Sequence, residues 1–137
     1  MKGKLKKILL VAGVIFLLGA SYALYVWYKP ARDVSDETAI KISAVAIFDS
    51  FTLNENNANK LYLDKAIQVT GVVSEVKKNQ SGETVILLKT NDPIFGVNCT
   101  CKDDPGAIEN GATIHFKGIC TGFNSDVVIN RGVVIKN

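Results

Sequence analysis

The chain opens on a run of apolar positions that has no polar face. Lys2, Lys4, Lys6 and Lys7 come first, and from Ile8 to Tyr28 there is then no charged residue, with Ser21 the one strongly polar side chain. About 21 helical residues at ~1.5 Å each span roughly 32 Å, the thickness of a bilayer's hydrocarbon core. The pattern predicts a transmembrane signal-anchor helix over residues 8–28 behind a basic N-terminus of residues 1–7. The lysine bias keeps that N-terminus in the cytoplasm and exports the remainder. Tyr22, Tyr25, Trp27 and Tyr28 form an aromatic belt at the far interface. The competing reading is a cleaved secretory signal, with Ser21-Tyr22-Ala23 as a small-x-small site. The bulky aromatics beyond that site favour a retained anchor. No cysteine lies near the end of the segment, which excludes a lipoprotein anchor.

Beyond the span the periodicity changes twice. Lys29–Val34, with Pro30, reads as a linker. Ser35 can cap a helix, and Asp36 and Glu37 suit the positive end of its dipole. Ile40, Ala44, Ile47, Phe48 and Phe51 then recur at helical spacing, which predicts a helix over 35–51. A second short helix is expected after Asn54, to about Tyr62. From there the pattern is strand-like. Strands are predicted over Ala66–Lys77, Thr84–Lys89, Ile94–Cys101, Thr113–Thr121 and Asp126–Ile135, with a bulge or bend at Gly71. Turn chemistry separates them at Lys78–Gly82, Asn91-Asp92-Pro93, Lys102–Gly111 and Gly122–Ser125. The expected fold class is α+β and mostly β. An N-terminal transmembrane helix precedes one exported domain, residues 35–137, in which a short helical pair packs on a five-stranded OB-type Greek-key barrel.

Charge narrows the function. The formal net charge of +3 is misleading, because four of the sixteen basic residues precede the span. From Lys29 onward twelve Lys and Arg face thirteen Asp and Glu. A nucleic-acid module usually carries a basic stripe, and this domain has no net excess from which to build one.

Two stretches carry a family resemblance. The run Phe51-Thr-Leu-Asn-Glu55-Asn-Asn-Ala58-Asn59-Lys-Leu-Tyr62-Leu-Asp-Lys65-Ala-Ile67-Gln-Val69-Thr-Gly71 and the later Gly118-Ile-Cys120-Thr-Gly122-Phe-Asn-Ser-Asp126-Val127-Val128-Ile129 resemble the tRNA_anti-like family of OB-fold domains. The resemblance covers roughly residues 38–136 and implies an OB barrel preceded by helices, commonly in exported or membrane-attached bacterial proteins. It implies no catalytic residue. The family name records likeness of fold to anticodon-binding domains, and inferring nucleic-acid binding from it would be analogy alone.

The candidate chemistry is sparse. Cys99, Cys101 and Cys120 are expected either as small buried side chains or, in an oxidising compartment, as a disulfide of Cys120 with Cys99 or Cys101. Three cysteines and His115 could in principle form a zinc shell, but His115 alternates out of phase with Ile114 and Phe116 and should face solvent with Lys117. Asp103 and Asp104 are adjacent in a turn, where local bonding to the backbone explains them. In an OB fold the first and last hairpin loops flank the face that binds ligands. That places the candidate site on Lys77, Lys78 and Gln80, on Phe123 and Asn124, and on Phe95. No cofactor is expected.

These readings favour a membrane-anchored, non-enzymatic binding or interaction module. Its partners would be the bilayer, through residues 8–28, and a protein of the cell envelope, with any small ligand unidentified. One alternative is an OB domain for single-stranded nucleic acid, which would need several stacking aromatics along a basic groove. A haem or metal carrier is the other. The layout resembles the cytochrome c maturation haem chaperone, yet no histidine follows His115 and no tyrosine follows Tyr62 to supply that family's haem attachment.

Overall fold

The computed structural model describes residues 2–30 and 32–135. Two compact units divide at Arg32/Asp33. The first is helix α1, Lys2–Tyr28, whose side chains are exposed throughout. At 27 residues it is long and apolar enough to cross a membrane. It extends the expected 8–28 span back through the basic residues.

The second unit runs from Asp33 in the order β1 (Ile40–Ser43), α2 (Ala44–Leu53), α3 (Glu55–Tyr62), β2 (Ala66–Lys78), β3 (Thr84–Leu88), β4 (Val97–Cys101), β5 (Thr113–Asn124) and β6 (Asp126–Ile135). The sheet order is β1-β2-β3-β4-β6-β5, and a further β2–β5 pairing closes β2 to β6 into a barrel. This is the five-stranded OB arrangement, with β1 as an additional strand.

The expected helix over 35–51 is corrected at its first half. Ile40–Ser43 is a strand that pairs in parallel with Ile67–Thr70 of β2. The cap is Ser43, not Ser35: its Oγ accepts from the Ala46 N–H at 3.1 Å. Ala44, Ile47, Phe48 and Phe51 are buried as the period predicts, whereas Ile40 is 38% exposed. Asn54 caps α3 in the same way, accepting from the Asn57 N–H at 3.0 Å. Gly71 is not at a bulge. The register shift lies between Val73 and Glu75. Gly71 is needed because a Cβ there would stand 2.8 Å from the Ala44 Cβ, so the glycine lets α2 begin against β2.

Alternation along the strands fills the interior. Ile67, Val69 and Val73 of β2, Ile86 and Leu88 of β3, Val97, Cys99 and Cys101 of β4, Phe116 and Cys120 of β5, and Val127 and Ile129 of β6 form one core with Ile47, Phe48 and Phe51. The helical pair thus plugs one end of the barrel.

The expected linker is partly built into the domain. Val34 is 1% exposed and packs with Ala66, Ile119 and Ala39 in a separate small cluster. On either side of it, Lys102 Nζ lies 2.9 Å from Asp33 Oδ2 and Lys117 Nζ donates to the Ser35 carbonyl at 3.0 Å.

Candidate functional site

Strand direction separates the loops into two ends. The β2–β3 turn and the β4–β5 connection lie at one end, and the β3–β4 and β5–β6 connections at the other. At the second end the Gly96 N–H donates to Asp126 Oδ1 at 2.8 Å, tying the two loops together.

The first end holds a groove of about 610 Å³, lined by Val76, Lys77, Lys78, Thr84, Asp104, Gly106 and Ala107. One wall is a tight turn. Asn79 Oδ1 accepts from the Ser81 and Glu83 N–H groups at 3.0 Å each, and Asn79 Nδ2 donates to Glu83 Oε2 at 2.9 Å. Gly82 takes a φ of +80°, open to glycine at little cost. Lys77 and Lys78 are exposed. Among the described residues neither has an ion-pair partner within 4.0 Å. Opposite them, Asp104 Oδ1 accepts from the Gly106 N–H at 3.0 Å, which fixes the turn that brings Gly106 and Ala107 to the groove.

Below the groove lies the outer face of β3 and β4. Val85 pairs with Thr100 and Leu87 with Asn98. Lys77 stands opposite Val85, and Glu75 opposite Leu87. The neighbours of these residues point into the core, so this set faces away from it; Leu87, Asn98 and Thr100 are half-buried, whereas Val85 is covered, at 5% exposed. Its accessible part is one aliphatic, one amide and one hydroxyl side chain beside the exposed Glu75 and Lys77, with no aromatic ring.

The other predicted residues are dispersed. Gln80 is exposed at the tip of the β2–β3 turn, beside the groove. Asn124 is exposed at the opposite end, before Ser125, whose φ is +65°. Phe123 is turned inward: its ring stacks on Phe51 at 5.7 Å and meets Phe48 edge-on at 6.0 Å. Half-buried, it closes the interface between α2 and the barrel. Phe95 lies in the β3–β4 loop, far from the lysines. The sequence reading missed Thr84, Asp104, Gly106 and Ala107. The Asp-Asp-Pro-Gly turn was visible, but its return to the first hairpin is a consequence of barrel closure.

The thiols and the histidine complete the inventory. All three cysteines are free and buried. Cys99 and Cys120 both pair with Ile129 of β6, from opposite sides. Two inter-strand spacings amount to roughly 9–10 Å, beyond the ~7 Å limit for a disulfide, so of the two alternatives the cysteines are small buried side chains and Cys120 is not bridged to Cys99. Cys101, further along β4, is separated from Cys120 by the same strand. Burial pushes the Cys101 thiol up to about 11 and that of Cys99 well above its usual range. His115 does not simply face solvent: its Nδ1 lies 2.7 Å from Thr70 Oγ1, in a part-buried pair across β5 and β2. Among the described residues no three His, Cys, Asp or Glu side chains gather as a metal site.

The sequence profile of the tRNA_anti-like family matches residues 1–133. Among solved structures, the chain is similar to a lipoprotein from Klebsiella pneumoniae named for a suspected nucleic-acid-binding role. The identity is 20% and the TM-score 0.56, covering 79% of this chain and 100% of that one. It also matches the structure of yeast Stn1 and Ten1 at 15% identity and a TM-score of 0.47, covering 74% of this chain and 65% of that one. No curated protein matches. At these identities the structural likeness speaks to the fold alone.

Proposed function

Because the chain belongs to the tRNA_anti-like family, we propose that it is a membrane-anchored, non-enzymatic OB-fold module that binds a protein partner in the bacterial cell envelope. Helix α1 would be the anchor, with the N-terminus cytoplasmic and the barrel outside the cell membrane. The observation that carries this reading is the outer face of β3 and β4. Half-buried Leu87, Asn98 and Thr100 offer aliphatic contact and amide and hydroxyl hydrogen bonding, as a polypeptide segment would need. Lys77 and Lys78 at its end suit an acidic residue on the partner. The test is a photo-crosslinking residue at Gln80 in intact cells. A discrete protein adduct, lost on Leu87→Asp, supports the reading. Absence of any adduct, at Gln80 or at Thr100, would sink it.

A second reading, single-stranded nucleic acid, is favoured by the name given to the Klebsiella lipoprotein and by the two unpaired lysines. The ring-free face and the domain's charge balance weigh against it, since such domains stack bases on aromatic side chains. An affinity for oligonucleotides that falls steeply with salt would establish it.

A further inference from the structure

The two ends of the barrel are finished differently. Helix α2 packs into the end at Phe123, whereas no helical residue lines the groove at the other end. Strand alternation divides the lining of that groove. Lys78 pairs with Thr84 and Val76 with Ile86. Ile86 is a core residue and Val76 packs against the core. Lys78 and Thr84 therefore lie on the inner side of the β2–β3 ladder, at the mouth of the barrel, while Lys77 belongs to the outer face.

Thr84 is out of place at that mouth. Among the described residues it is the one buried polar side chain, 7% exposed, and no described residue bonds its hydroxyl. Every fully enclosed side-chain polar atom among the described residues has a partner. Thr84 Oγ1 has none, so it is not sealed in, and it opens where the side chain lines the groove. A nearly buried hydroxyl without a partner costs free energy that a bound acceptor would recover. Both walls around it are held ready. The Glu83 carboxylate beside it is occupied by Asn79 Nδ2. Across the mouth, the Gly111 N–H donates to the Val73 carbonyl at 2.7 Å and the Val73 N–H to the Ala112 carbonyl at 2.8 Å, which pins the β4–β5 connection to β2.

We infer that this mouth is a subsite for a single carboxylate, which accepts from Thr84 Oγ1 and pairs with Lys78 Nζ. The inference deepens the partner reading above and rests on it: the carboxylate belongs to the bound polypeptide, as an acidic side chain or as a chain end. Three observations select it. Opposed residues of an antiparallel pair have Cβ atoms roughly 4.5–5.5 Å apart, so the hydroxyl and the ammonium converge on the two oxygens of one group. The charged groups lining the groove are Lys77 and Lys78 against Asp104, an excess that suits a monoanion and not a phosphate dianion. Val76 and Ala107 supply an apolar bed for the carbons behind the carboxylate, and no aromatic ring lines the groove for a base to stack on.

The experiment titrates the full chain, in neutral detergent micelles with labelled valine and alanine methyl groups. The probes are N-acetylglycine for a chain end, N-acetylglutamate α-amide for a side chain and dimethyl phosphate for a nucleic-acid backbone. The expected result is a saturable shift of the Val76 and Ala107 methyl signals with a carboxylate probe. Thr84→Val keeps the shape of the side chain and should weaken binding at least about fivefold, because hydrogen bonds to charged groups are the strong ones. Thr84→Ser restores a hydroxyl and should recover it. Lys41→Gln, which removes an exposed lysine of β1, should change nothing. No saturation with either carboxylate overturns the subsite and leaves the partner reading to its own crosslinking test. Saturation indifferent to Thr84→Val means charge attraction alone, and also overturns it. Dimethyl phosphate binding as tightly as the carboxylates overturns the choice of ligand in favour of nucleic acid. Saturation without any protein adduct at Gln80 or Thr100 overturns the partner reading and leaves the carboxylate subsite standing, as a site for a small acid.

Discussion

Gly132 offers the sharpest test of how the barrel is packed. A Cβ built on it would lie 2.3 Å from Cε1 and Cζ of Phe116 and 2.6 Å from the Lys117 carbonyl oxygen. Ordinary carbon contacts are about 3.5–4.0 Å, so Gly132→Ala demands a movement of over an ångström. Phe116 cannot supply it cheaply. It is fully buried in a close-packed core. Gly132 is not among the glycines at positive φ, so the effect is steric and separable from backbone preference. Overpacking a filled site costs about 1–3 kcal/mol, and the lack of a retreat places this substitution near the upper value. For a domain of this size, a loss of about 3 kcal/mol lowers Tm by roughly 12–24 °C. Urea and thermal unfolding of residues 33–137, followed by circular dichroism, would measure it. Phe116→Leu shortens the offending ring. The double variant should therefore lose less than the sum of the two single losses, by about 1–2 kcal/mol. A Gly132→Ala variant within about 0.5 kcal/mol of the parent, or strict additivity in the cycle, would refute the packing argument.

Other expectations follow from the clamp and the thiols. Val34→Ala should destabilise the domain by about 2 kcal/mol in the same assay, because it empties a buried site in what reads as a linker. The Lys102 ammonium and the Ser35 N–H beside Asp33 hold its carboxyl well below the usual carboxylate range. Its contribution is therefore full above the unfolded value of about 3.9, and it is lost as the pH falls through the lower folded value. Asp33→Asn should erase that part of the acid dependence, and since both partners are exposed the difference should shrink with added salt. All three cysteines should be inert to a thiol reagent at pH 8 in the folded domain and react together in denaturant. A thiol titre below three in denaturant would show a bridge. Anisotropy of labelled single-stranded oligonucleotides should stay flat even at low salt, and strong binding there would revive the nucleic-acid reading.

The strands were legible because their alternation maps onto burial. Ile86 and Leu88, or Val127 and Ile129, keep one parity, and the turns between strands carry glycine, asparagine or proline. Ile40–Ser43 was not legible as strand. Four residues are too few to set a period of two against one of 3.6, and Ile40 falls four before Ala44 by coincidence. Ser43 was the missing signal, a capping residue directly ahead of the apolar helix. The site was less visible than the fold. Lys77 and Lys78 stand out by charge, but their facing wall of Asp104, Gly106 and Ala107 is brought close only when β5 pairs with β2. Phe123 shows the opposite failure. A phenylalanine in a hairpin next to Asn124 resembles a binding residue, and only the arrival of Phe48 and Phe51 from α2 shows that its ring is half-buried against the core.

The early start of the folded unit has a consequence for the life of the protein. Everything the barrel needs begins at Asp33: the ion pair with Lys102, the buried Val34 and the bond from Lys117 to Ser35. None of it draws on residues before Pro30. A peptidase that cut at Ala23, or anywhere on the helix side of Pro30, would release a domain with its core, caps and groove complete. Processing would then decide whether this molecule keeps its apolar helix, without altering the folded unit behind it.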